Sequence, residues 1–114
     1  MAGMSKRPLS TLGVLVLASL AEAPRHGYAL GKDVKARSGG DVAAGATSLY
    51  RTVWQLEGEG LVTESDERPA SHLDDERRRY FQITAGGRRA LAAELSRLDR
   101  LVIAARPRKL AKSR

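Results

Sequence analysis

No cysteine occurs anywhere in the 114 residues. That excludes disulfides, thiolate nucleophiles and cysteine-held metals, and it suits a cytoplasmic protein. Aromatic side chains are scarce, with one Trp, three Tyr and one Phe. The core must therefore come from Leu, Val and Ala, a composition that favours helices. Long apolar runs are missing too. The longest, "LGVLVLASLA" from Leu12 to Ala21, falls far short of the ~20 residues that cross a bilayer, and it lacks the cleavage site of a secretory signal. No membrane association is expected.

The chemistry of an active site is equally thin. The two histidines, His26 and His72, stand far apart, and the second lies in a polar loop, so no metal site is expected. Asp74, Asp75 and Glu76 are adjacent carboxylates beside Arg77, Arg78 and Arg79. Acid–base work needs a fixed separation and a pocket, and a solvated or ion-paired run is the simpler reading. No nucleophile has a base in reach, and the glycines form no phosphate cradle. The chain is expected to be no enzyme and to need no cofactor.

What is present is positive charge and helical punctuation. The net charge is +7, and five of the 20 basic residues lie in the last nine, "RPRKLAKSR". Taking those five away leaves a body of +2. The tail, residues 106–114, is expected to be a solvated end, with a non-specific grip on phosphate as the sharper alternative.

Ser10 or Thr11 can cap a first helix to about Ala21. That helix is apolar nearly all round, so it needs cover from its own domain and from a second chain. Ala-Pro-Arg-His-Gly at 23–27 is a break, at which His26 is expected to hold the start of a second helix, about Gly27 to Arg37. Tyr28, Leu30 and Val34 are expected as its buried side, and "SGGD" ends it. A third helix, about Ala46 to Glu59, turns Leu49, Val53 and Leu56 inward. Gly60 ends it and leads into a strand in "LVTESDE"; "RRRYFQIT" from Arg77 to Thr84 returns. Thr84 can cap a last helix, although Gly86 and Gly87 weaken its first turn. Along it, Leu91, Leu95, Leu98, Val102 and Ala105 are spaced as a coiled-coil seam, and Pro107 stops it.

The order is three helices, a hairpin and a long helix. It predicts a mainly α fold with a small β-hairpin: a winged helix-turn-helix over 1–84, then a dimerisation helix over 85–105. In that arrangement the third helix enters the major groove of double-stranded DNA. Its outward face suits the task. Arg51 can pair bidentately with guanine, Gln55 with adenine, and Thr47 or Ser48 can reach a phosphate or a thymine methyl. Tyr50 is divided between a phosphate contact and the core. Trp54 admits three roles: contact with DNA, packing near the wing or a partner, and ligand binding. The hairpin would add Arg68, His72, Arg77 or Arg78. Because Arg77 and Arg79 share a strand face, at most two of Arg77, Arg78 and Arg79 can point at one DNA surface, and the third is expected to hold an acid such as Glu64 or Asp66. Leu12 and Val16 of the first helix join Leu91, Leu95, Leu98 and Val102 as the expected dimer contact.

Three stretches, "LGVLVLASLAEAPRHGYAL", "TSLYRTVWQLEGEGLV" and "RRRYFQITAGGRRAL", resemble the PadR-type transcriptional regulators over roughly residues 9–100. The likeness lies in His26-Gly27-Tyr28, Leu49-Tyr50, the run from Leu56 to Val62, and Arg79 to Thr84 with Gly87. It implies a bacterial homodimeric repressor of the short subfamily, with one C-terminal dimerisation helix and room for a small apolar effector at the dimer seam. Two positions depart from the pattern. Arg51 stands where proline is usual, and Gly31 stands where a second apolar residue is common. The alternative from another class is a winged-helix adaptor that binds protein, with Trp54 and the first helix as its anchor.

Overall fold

The computed structural model describes residues 8–65 and 79–108. In chain order the elements are α1 (Thr11–Glu22), β1 (Arg25–His26), α2 (Gly27–Arg37), α3 (Ala46–Gly58), β2 (Val62–Glu64), β3 (Tyr80–Ile83) and α4 (Ala85–Ala105). The fold is mainly helical with a small antiparallel sheet of order β1-β3-β2. Val62 pairs with Ile83 and Glu64 with Phe81 in the hairpin, while Arg25 and His26 pair with Phe81 and Tyr80 on the other edge of β3. This third strand is absent from the sequence reading, because two residues after a proline are too few to show a period.

Local chemistry starts the helices. Ser10 Oγ accepts the Gly13 N–H at 2.9 Å, His26 Nδ1 accepts that of Ala29 at 3.3 Å, and Thr84 Oγ1 accepts that of Gly87 at 2.9 Å. Thr84 also donates its hydroxyl to the Gly60 carbonyl at 2.7 Å, tying the start of α4 to the end of α3. There the Leu61 N–H returns to the Leu56 carbonyl at 2.9 Å and closes the helix. Gly87 is required by contact: a β-carbon on it would strike the Leu61 carbonyl oxygen and the Ile83 side chain.

The core gathers Val16, Leu17 and Leu20 of α1 with Leu30, Val34, Leu49, Val53 and Leu56 of α2 and α3. Val62, Phe81, Ile83 and Leu91 complete it from the sheet and α4. Each side chain of this kind contributes roughly 1.5–3 kcal/mol on burial. A network of Glu22, Arg25, Asp33 and Arg37 fastens α1 to α2, with Arg37–Glu22 at 2.6 Å and Arg37–Asp33 at 2.7 Å. The wholly buried Ser19 hydroxyl lies outside full hydrogen-bond geometry but favours the charged form of Asp33. With Arg37 it holds that carboxyl below the ordinary aspartate range. Arg88 of α4 donates to the Ala21 carbonyl at the end of α1.

Three expectations need correction. Tyr28 is not on the buried side of α2; it is 70% exposed, because residues two apart on a helix face nearly opposite ways and it cannot share Leu30's face. Val16 and Leu91, expected at the dimer contact, are enclosed in the subunit core. The first half of α4 docks on α1 and β3, so its leucine seam leaves the core only from Leu95 onward.

Candidate nucleic-acid interface

Helix α3 carries the site. With about 100° between successive residues, Leu49, Val53 and Leu56 fall inward and are buried. Thr47, Arg51 and Trp54, spaced i, i+4, i+7, form the outward ridge, with Ser48 and Gln55 beside it. All five are exposed. The ridge holds no acid, and Arg51 has no ion pair among the described residues. Gly45 caps the helix without a side-chain bond, and no acid stands in the first turn. The first backbone N–H groups therefore keep their positive pole uncompensated.

Tyr50 is half-buried at the junction of three elements. Its ring lies 5.7 Å from that of Trp54 and 6.4 Å, edge-on, from Phe81 of β3. Its hydroxyl abuts Gly27, leaving no room there for a β-carbon. The Trp54 indole is thus braced from behind while remaining 55% exposed.

The sequence reading missed a second ridge, on α2. Tyr28, Lys32 and Lys35 repeat the i, i+4, i+7 spacing and are all exposed. The Lys32 ammonium sits 5.5 Å from the Tyr28 ring centroid. The spacing was legible, and placing Tyr28 in the core concealed it. Among the described residues neither lysine has an ion pair, whereas Asp33 and Arg37 on the flank of the same helix are held in the network with α1.

On the wing, Arg79 pairs with Glu64 at 3.3 Å. Arg68, His72, Arg77 and Arg78, and the carboxylates Asp74 to Glu76, lie outside the described residues. On α4, Leu95 is 45% exposed, Val102 is exposed and Leu98 is half-buried, while Leu12 of α1 is half-buried. Beyond them Ile103 is 71% exposed. Glu94 sits buried beside the seam and bonds Arg97 at 2.7 Å. Arg97, and in smaller part the Leu9 N–H, hold the Glu94 carboxyl below the glutamate range against the opposing effect of burial.

A helix that shows polar side chains outward, seated beside a hairpin and followed by a long helix, is a winged helix-turn-helix. The profile of the transcriptional regulator PadR-like family matches residues 16–93. The chain belongs to the PadR-like family of transcriptional regulators. Among solved PadR-family structures, a regulator from Eggerthella lenta is 31% identical, with a TM-score of 0.68 over 91% of this chain and 84% of that one. A regulator from Clostridium difficile shares the fold at 18% identity, with a TM-score of 0.67 over 83% of this chain and 94% of its own. An uncharacterized 37.1 kDa protein in transposon TN4556 of Streptomyces fradiae is 35% identical over 88 residues, or 77% of this chain. This chain spans 23% of that protein's length. Among the described residues no helix is long and apolar enough to cross a membrane.

Proposed function

We propose that this PadR-like chain is a homodimeric repressor that reads a pseudopalindromic operator, each copy placing the outward ridge of α3 in one major groove. The observation that carries the reading is the exposed set Thr47, Ser48, Arg51 and Gln55 on one side of a helix whose other side is buried. Those side chains supply the donors and acceptors that tell base pairs apart. The bare start of α3, with no acid in its first turn, favours phosphate. Arg68, Arg77 and Arg78 of the hairpin are assigned to backbone or minor-groove contacts, and Tyr50 to the support of the ridge. Leu95, Leu98 and Val102 of α4, with Leu12 of α1, form the dimer contact. That pairing holds the two readers about one turn, roughly 34 Å, apart. A small apolar effector lodged at the seam would change the angle between the α4 helices and mis-space the readers.

The test is footprinting of the dimer on the DNA just upstream of its own coding region, at 50 and 200 mM salt. A reader touching ~6–10 phosphates protects a two-fold block and loses roughly a thousandfold in affinity over that range. Binding without a protected block, or insensitive to salt, would favour the protein-binding adaptor.

A further inference from the structure

We infer that Trp54 reads thymine: its indole packs on the C5-methyl group of a thymine within one or two base pairs of the pair that Arg51 contacts. The inference rests on the DNA-reading role proposed for α3. Trp54 follows Arg51 by one turn on the same outward ridge, about 4.5 Å along the axis, so the two side chains address the same groove. The indole is held at 5.7 Å and 32° to Tyr50, which Phe81 and Gly27 hold in turn. Such a ring loses little conformational freedom on contact. Most of its ring surface is apolar, yet its near neighbours on the outward side, Arg51 one turn before it and Gln55 next to it, form a polar, exposed rim. An apolar partner surface would leave that rim unmatched. A surface that is anionic and polar, with isolated apolar points, fits both parts. On the floor of the major groove the thymine methyl is the apolar group that a ring face can cover, whereas the other base edges present donors and acceptors of which the single indole N–H can meet only one.

The chain has a single tryptophan, so its emission reports on this residue alone. The probes are duplexes enriched by the full chain from a randomised library, then remade with each thymine in turn replaced by deoxyuridine, which removes only the methyl. Emission should change on binding, and one replacement in each half-site should weaken wild type roughly fourfold, the worth of one buried methyl. The same replacement should cost Trp54→Ala nothing, while Trp54→Phe keeps part of the effect. Unchanged emission, no sensitive thymine, or an equal loss in Trp54→Ala would overturn the assignment and leave the DNA-reading role standing. A library that yields no enriched duplex would overturn that role and this inference with it.

Discussion

The phenolic oxygen of Tyr50 occupies the place where a β-carbon on residue 27 would stand. This contact sets the distance between the start of α2 and the side of α3, and it holds the ring on which Trp54 leans. Glycine at 27 is thus a packing requirement of α3. Gly27→Ala should destabilise the fold by about 1–3 kcal/mol, the usual cost of overfilling a packed site. Urea unfolding measures it; an unchanged midpoint would mean that Tyr50 swings aside freely.

The adjacent glycines of α4 should behave oppositely. A methyl on Gly87 meets the Leu61 carbonyl, which is backbone and cannot rotate away, whereas one on Gly86 finds its nearest neighbour at 3.6 Å. Gly87→Ala is expected to lower the melting temperature clearly. Gly86→Ala should be neutral or add up to about 1 kcal/mol through helix propensity. Similar melting curves for the two variants would contradict this placement of α4.

Stability should fall in acid partly through Asp33. The Ser19 hydroxyl and Arg37 depress its carboxyl in the folded state, so the folded chain releases that proton more readily than the unfolded one. The resulting stabilisation is complete above the unfolded value, about 3.9, and fades as pH drops through the lower folded value. Because the network is open to solvent, it is worth at most about 1 kcal/mol. Asp33→Asn should lie below wild type at neutral pH and converge with it in strong acid. Parallel curves would exclude the linkage.

Arg51→Ala should abolish preference for the operator while the dimer stays intact, since its side chain lies outside the core. Competition between operator and scrambled duplexes gives the ratio; a bidentate contact is worth about 1–3 kcal/mol of discrimination. A variant that protects the same site as wild type would remove Arg51 from the readers.

Leu95→Glu should yield monomers in sedimentation, with helical content unchanged, because Leu95 is 45% exposed and its charge can reach water once the partner has gone. Val16→Glu should instead prevent folding, because Val16 has no exposed surface at all. Undisturbed sedimentation of Leu95→Glu would move the dimer contact elsewhere.

Wherever a rule acts within a few residues, the linear chain was enough. Ser10, His26 and Thr84 cap because an acceptor three positions before a free N–H reaches it without help from the rest of the fold. The outward side of α3 follows from its period, since Leu49, Val53 and Leu56 commit the opposite side to the core. Tyr28 shows where such reasoning failed: its apolar ring suggested burial, while its angular position on α2 pointed outward.

What only the tertiary structure decided are the meetings of residues far apart in sequence. The pairing of Arg25 and His26 with β3, the contact of Tyr50 with Gly27 and that of Gly87 with Leu61 depend on how whole elements dock, and no local pattern encodes them. The leucine seam divides on the same ground. Its spacing is a property of the chain, but where the core stops and open surface begins, between Leu91 and Leu95, is set by how far α1 and β3 extend along α4.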